Sequence, residues 1–329
     1  MKFYTKILVV LLFVTLTSCK EKEETKKESV KSDRQNQQKE GVQPFAKHIF
    51  SQFTNVRDFT INTDENEAYF TLQSPARELS VIMRIKKVDN KWQEPKISHF
   101  SGQYIDLEPF LSPDNLKLYF VSNRPVSKDS TNTKDMDIWY VERETKTSTW
   151  STPKNIGAPI NTDGDEFYPA VTSNGNLYFT TIKKKLESAD DIFVSKWENN
   201  VYSEPTLLGE GVNTKGAEYN AFIAPDESYI IFCGWRRPDA LGSGDLYISK
   251  NLNGEWTKAK NLGEGVNSKH MEFCPFVNDR ILYFTSRRSN VIQKETGYAN
   301  AKELFSEINR YDNGASRIYQ VNLSKTLNQ

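Results

Sequence analysis

Cysteine and histidine are scarce: three of each in 329 residues. His48, His99 and His270 lie far apart, and no Cys or His falls at zinc-ligand spacing, so no metal centre is read. There is no Gly-x-Ser-x-Gly elbow and no phosphate-cradling glycine loop. Gly242-Ser-Gly244 reads as a flexible turn, and no cofactor is expected. Net charge is also missing: 43 Lys and Arg offset 43 Asp and Glu, which gives no broad pull toward nucleic acid. Beyond Cys19 the only cysteines are Cys233 and Cys274. A fold of this size does not need disulfides, so they read as free, buried thiols, able to pair only if neighbouring strands bring them together. The one sustained apolar run, Ile7 to Leu16, is too short to span a bilayer comfortably.

What that run does fit is a targeting segment, with Lys2 and Lys6 before it and small residues after it. Leu16-Thr17-Ser18-Cys19 resembles a bacterial lipobox. That resemblance implies a signal peptide over residues 1–18, cleavage before Cys19 and acylation of Cys19, with an ordinary secretory signal as the alternative. Residues 19–42 follow as a polar, charged stretch that buries too little apolar surface to offset its ordering entropy, and are read as the lipidated Cys and a disordered tether. Lys20-Glu-Lys-Glu-Glu24 resembles the charged signal of Bacteroidetes-type lipoproteins destined for the cell surface, although a solvated linker explains the charges equally well. The expected location is the outer membrane, on its periplasmic or cell-surface face, with the membrane reached through the lipid.

Residues 43–329 carry a repeat. Aligned on Tyr69-Phe70, Tyr119-Phe120, Tyr178-Phe179, Ile231-Phe232 and Tyr283-Phe284, the steps are 50, 59, 53 and 52 residues. Each unit opens on an acid (Asp106, Glu166, Glu218, Glu272), runs through a short strand, turns, and returns through the aromatic pair. In blade three the turn is Ser173-Asn-Gly-Asn, whose Gly suits the positive φ of a tight hairpin. The first unit is degenerate, with Val56 in place of the opening acid. Third strands follow at Asp137-Ile-Trp, Asp191-Ile-Phe, Asp245-Leu-Tyr and Arg317-Ile-Tyr, and fourth strands are expected from Trp92, Trp150, Tyr202 and Trp256. Four short strands per unit, in a ring of units, is a β-propeller.

The repeat resembles the WD40-like (TolB-like) propeller family through Glu166-Phe-Tyr-Pro-Ala-Val, Leu107-Glu-Pro-Phe-Leu-Ser-Pro-Asp and Leu118-Tyr-Phe-Val-Ser-Asn-Arg. The resemblance covers most of residues 44–323 and suggests a role in an envelope complex. After Ile318-Tyr-Gln-Val321 too little chain follows for a fourth strand, whereas Val42 to Phe50 looks like a fourth strand with no blade before it. The expectation is therefore an all-β, five-bladed propeller closed by the N-terminal strand. A six-bladed ring is the alternative.

In such a blade the loops between strands two and three, and those entering strand one, lie on one face. That face gathers Asp106, Glu166, Glu218 and Glu272 with Arg124, Trp235, Arg236, Arg237, Arg287 and Arg288, which are the candidate binding residues. The acids have a second reading, as acceptors for a backbone turn or partners of a nearby Arg. Asp137, Asp191 and Asp245 share that face and read as turn formers, as does Asp163-Gly-Asp-Glu166, whose oxygens would otherwise suit calcium. Residues 300–310, inside the longest loop, could form a short helix, and Tyr298 beside it is a further candidate. The expected function is recognition of an envelope protein or glycan by a monomeric, non-enzymatic lipoprotein. The alternative is a surface carbohydrate-active enzyme, since five-bladed propellers include glycoside hydrolases with axial carboxylates, and such chemistry needs a carboxyl pair roughly 5–10 Å apart. Cys19→Ser is expected to abolish fatty-acid incorporation in cells fed an alkyne-tagged fatty acid. Label retained on the variant would rule out Cys19 as the acylated residue.

Overall fold

The computed structural model describes residues 41–127, 133–182 and 190–324. Cys19 and the stretches expected to be signal peptide and tether, up to residue 40, lie outside the described residues. Gly41–Gln329 is one compact unit, and no helix among the described residues is long and apolar enough to cross a membrane.

Five antiparallel sheets form the blades. Blade one runs outward through Asn55–Ile61, Glu67–Gln73, Ser80–Val88 and Lys96–Ile97. Blade two uses Asp106–Leu111, Lys117–Ser122, Asp137–Glu142 and Lys154–Asn155. Blade three uses Glu166–Val171, Leu177–Thr181, Asp191–Ser195 and Thr206–Leu207. Blade four uses Ala217–Ile223, Tyr229–Trp235, Asp245–Leu252 and Lys260–Asn261. Blade five uses Glu272–Asn278, Ile281–Ser286 and Arg317–Asn322, with Gln43–Pro44 as its outermost strand. Innermost strands pack in sequence around the ring, and Glu272–Asn278 returns to Asn55–Ile61. No sixth blade interrupts the circle, so the six-bladed alternative is excluded.

The second strands are buried on both faces because each blade is sandwiched between two others. This explains why Leu118-Tyr-Phe-Val-Ser122 and Leu177-Tyr-Phe-Thr-Thr181 read as continuous rather than alternating runs. Fourth strands are shorter and later than expected: two residues each, downstream of the aromatic residue. Trp92, Tyr202 and Trp256 instead belong to small hairpins. Trp150 is buried, its indole N–H donating to Tyr69 Oη at 2.7 Å. In the blade-three turn the positive φ falls on Gly175, at 92°, and a Cβ there would meet the Trp197 indole at 2.9 Å. Cys233 and Cys274 are free and buried.

The N-terminal segment closes the ring, but less of it is strand than expected. Gln43 pairs with Gln320 and Pro44 with Tyr319, and the Phe45 N–H donates to the Ile318 carbonyl at 3.0 Å. Proline is tolerated here because this is an edge strand. Ala46, at φ 40°, then turns the chain into the helical turn Lys47–Phe50. Phe45 lies edge-on to Phe59 at 4.7 Å and to Tyr283 at 5.2 Å, and Phe50 lies on Phe70 at 4.9 Å. Blade five is thus held to blade one by aromatic packing as well as by the ladder.

Every innermost strand carries a bulge at the same place. The residues at Asp58, Glu108, Tyr168, Asn220 and Cys274 all take positive φ, between 50° and 58°. They form a ring about the axis. Beyond them, Phe110, Phe222 and Phe276 meet at centroid distances of 5.5–6.4 Å and plug the far end. The axis is therefore a blind pit, polar at its floor and closed by aromatic rings, rather than a channel.

Phe45→Ala is expected to lower the unfolding free energy by about 3–5 kcal/mol, the usual cost of truncating a buried Phe. Chemical denaturation checks this; a loss below about 1 kcal/mol would mean that the closure contributes little.

Candidate functional site at the axial mouth

The four opening acids are fully buried. Three follow one local pattern, in which a Thr or Ser four residues upstream donates both its N–H and its hydroxyl to the carboxylate. Thr162 serves Glu166 at 3.1 and 2.5 Å, Thr214 serves Glu218 at 2.8 and 2.8 Å, and Ser268 serves Glu272 at 2.8 and 2.8 Å. In blade two, Ser101 Oγ donates to Asp106 at 2.7 Å. The preceding Asn residues, Asn161, Asn213 and Asn267, bridge backbone groups of the third strand through Ile138, Ile192 and Leu246. The repeated Asn-Thr/Ser-x-x-x-Glu spacing is thus a staple that fixes the loop entering blades three, four and five.

Arg124, Arg237 and Arg288 complete the staple. Arg124 pairs with Asp106 at 2.6 Å, Arg237 with Glu218 at 2.9 Å and Arg288 with Glu272 at 3.3 Å. Each also donates to a carbonyl of the incoming loop, at Phe100, Val212 and Val266 respectively. Each guanidinium lies over aromatic rings of strands two and three, as Arg237 does over Phe232 and Tyr247 at 5.1 and 4.6 Å. The corresponding position in blade three, Lys183, lies outside the described residues. Asp245 accepts from the Leu241 and Gly242 N–H groups, and Asp137 from Lys134 and Asn155. Tyr298 donates to the Ile292 carbonyl inside the longest loop, and Ala301–Ile308 there is a helix capped by Asn300.

Trp235 and Arg236 stand apart from these staples. The Arg236 guanidinium stacks on the Trp235 ring at 3.8 Å, and both border a groove of about 780 Å³ on the flank of blade four. Arg287, by contrast, faces the axis.

The axial mouth is a cavity of about 460 Å³ with contributions from all five blades. Its wall is one equivalent residue per blade: Arg57, Leu107, Phe167, Tyr219 and Phe273. The next residue of each strand forms the floor, and there the ionisable groups gather. Arg57 donates to Asp58 at 2.7 Å and to Glu108 at 2.9 Å, while the Cys274 thiol donates to Asp58 at 2.7 Å. Glu108 also accepts the Tyr168 N–H at 2.7 Å and the Asn220 side-chain amide at 3.4 Å. Burial, then repulsion from Asp58, pushes the Glu108 carboxyl up to about 7 against the pull of Arg57. Burial alone would lower Arg57, but Asp58, Cys274 and Glu108 together raise it. Burial and the same Asp58 push the Cys274 thiol up, so it is a neutral donor here.

This floor was not among the residues picked from the sequence. The available signal was the position itself: two residues after each opening acid, the residue differs in every blade, and blade one departs from the repeat at Val56 and Arg57. Of the picked residues, Arg287 lines the cavity, whereas Asp106, Glu166, Glu218, Glu272, Arg124, Arg237 and Arg288 lie within the staples behind its wall.

No protein-family model matches the sequence, and no curated protein does. Solved structures with a similar fold include a putative TolB from Agrobacterium tumefaciens, at 14% identity over 70% of this chain and 69% of that one, with a TM-score of 0.45. TolB from Acinetobacter baumannii is similar at 14% identity over 71% of this chain and 49% of that one, TM-score 0.44. A GH43 endo-arabinanase from Bacillus licheniformis is similar at 14% identity over 82% and 94%, TM-score 0.48. At this identity the likeness concerns the propeller fold alone.

Two outcomes are expected. Glu218→Gln leaves Arg237 buried without its countercharge and should cost about 3 kcal/mol in urea denaturation; an unchanged midpoint would refute the staple. Glu108, held above its unfolded value, contributes stability that is complete below about pH 4.5 and is lost as pH rises through about 7. Glu108→Gln should therefore flatten the decline in Tm between those two pH values. Parallel Tm–pH curves for the two proteins would contradict the raised carboxyl.

Proposed function

We propose that this chain is a membrane-tethered, non-enzymatic lipoprotein that binds a protein or glycan partner of the cell envelope through the loop-bearing face, with the axial mouth as the seat of recognition. The observation that carries this reading is the mouth itself, a blind cavity of about 460 Å³ whose wall changes chemistry from blade to blade while the fold beneath it repeats. A pit of this size suits a single group of a partner rather than a flat surface. Trp235 and Arg236, with their groove on blade four, offer a second contact for a larger partner. The tether rests on the Leu16-Thr-Ser-Cys19 pattern.

The enzymatic alternative has one specific observation in its favour: two buried carboxylates, Asp58 and Glu108, share Arg57, and one of them is held up toward neutrality. Against it, Glu108 already accepts from Tyr168, Arg57 and Asn220, which spends the oxygens that a general acid must turn toward a leaving group.

A glycan array and a polysaccharide digestion screen on the purified full chain separate the two. Binding without release of reducing ends is expected. Binding should be lost when Asp190→Trp places an indole on the rim, and weakened but kept in Trp235→Ala. Turnover abolished by Glu108→Gln would overturn the binding reading.

A further inference from the structure

The mouth carries more guanidinium charge than its own acids use. Arg57 is engaged with Asp58 and Glu108. Arg77, exposed on the turn after the second strand of blade one, and Arg287, at the end of the second strand of blade five, both line the same cavity. Among the described residues neither has a carboxylate within ion-pair distance. Among the described residues the Arg287 guanidinium donates only a long bond, at 3.3 Å, from Nε to Ser316 Oγ. Arg57 and Arg287 both lie over the Phe273 ring, at 5.3 and 5.5 Å, so two guanidinium groups share one aromatic side chain. Burial and then repulsion from Arg77 and Arg57 push the Arg287 guanidinium down, which is the signature of a cation without its anion.

The other groups at the mouth narrow the choice of anion. Asp190 is an acceptor, and Gln73 and Asn220 offer amides, so the site suits a molecule with several hydroxyls as well as one negative group. Phe167 and Tyr219 give an apolar wall for the C–H face of a ring. A peptide would also need partners for its backbone, and the strand ends here have none to spare. The N–H groups of Val56, Glu166, Glu218, Glu272 and Arg287 already donate to Ser316, Met136, Asp190, Gly244 and Met271. Phosphate would bring a second charge toward Asp190 and Glu108.

We propose that the axial mouth is a subsite for a sugar acid, with Arg77 and Arg287 taking the carboxylate of a uronate ring and Gln73, Asn220 and Asp190 taking its hydroxyls. This rests on the reading that the partner enters the mouth, and it names the chemistry of what enters.

Calorimetric titration of the purified full chain tests it, with trigalacturonate and triglucuronate, the methyl ester of the first, maltotriose and a glutamate-containing peptide as probes. A uronate is expected to bind at least about tenfold more tightly than the ester, consistent with loss of a charge-assisted bond. Arg77→Gln and Arg287→Gln are each expected to weaken it about tenfold, and Asp190→Trp to abolish it. Arg77 is an exposed turn residue, so its variant should keep the native Tm and separate lost binding from lost folding. Equal affinity for ester and acid, or tight binding of maltotriose blocked by Asp190→Trp, would overturn the sugar-acid assignment while leaving the mouth as a binding site. Preference for the peptide would overturn it likewise. Absence of heat with both uronates would overturn the assignment, and uronate binding untouched by Asp190→Trp would overturn the mouth as its location.

Discussion

Each innermost strand breaks its pairing at the same point, and the N–H group exposed there must find an acceptor. A left-handed conformation at a residue other than Gly costs about 1–2 kcal/mol, and this ring takes it five times. The offset comes from the neighbouring blade. Thr71 accepts from Glu108 N–H at 3.1 Å, Thr180 from Asn220 N–H at 3.2 Å and Thr285 from Asp58 N–H at 3.3 Å. These Thr residues hold the same place in the second strand, opposite the start of the bulge. Blade four has Cys233 at that place and blade two has Val121, neither with an oxygen to offer. The next blade's bulge N–H, at Tyr168, turns to the Glu108 carboxylate instead. In blade three the bulge N–H is therefore satisfied by a carboxylate buried at the axis. Arg57 then answers two acids, and blade one departs from the apolar wall that the other four blades share.

From this follows the difference between the two sets of acids. An opening acid sits at a strand end, where its own loop supplies a hydroxyl and, in blades three to five, an N–H from the same residue four positions upstream. Its environment is rebuilt in each blade because the sequence around it is rebuilt. The axial position has no such local partner. Its neighbours come from other blades, so each occupant meets a different environment, and side chains as unlike as Asp58, Tyr168 and Cys274 occupy equivalent backbone. Repetition marks what the fold needs from every unit, and departure from it marks where the units must differ to fill one shared centre.

The sequence was legible where the determinants are local. The aromatic second strands, the turn at Asn174-Gly175 and the spacing of the repeat follow from residue type and period, and together they specify blades and ring. The closure was legible by counting strands, although Ala46 bends the segment into Lys47–Phe50 sooner than an apolar run suggests. The Asn-Thr/Ser-x-x-x-Glu staple lay in plain view in three blades, yet spacing alone does not show which way a carboxylate turns. The axial floor was illegible for another reason. The bulge breaks the two-residue alternation, so the side of the strand that a residue takes cannot be read from its neighbours. Partners such as Arg57, Glu108 and Cys274 are separated by 51 to 217 positions in the chain.

The consequence for recognition lies in how charge is distributed along the axis. Buried charges in a propeller are stable only where a countercharge or a set of N–H groups meets them, and the staples achieve this blade by blade. At the floor, Arg57 and two carboxylates leave the cluster close to compensated. At the rim, Arg77 and Arg287 have no such answer from the protein, and Arg287 remains beside Arg57 despite the repulsion. Solvent can screen Arg77, which is exposed, but screens Arg287 less, since it sits half-buried against Phe273. The staples neutralise Asp106, Glu218 and Glu272 blade by blade, whereas at the axial mouth Arg77 and Arg287 have no ion-pair partner among the described residues. An anion entering the mouth would gain attraction from Arg287, which is half-buried and oriented by Ser316 and Phe273, and would lose little to reorganisation there.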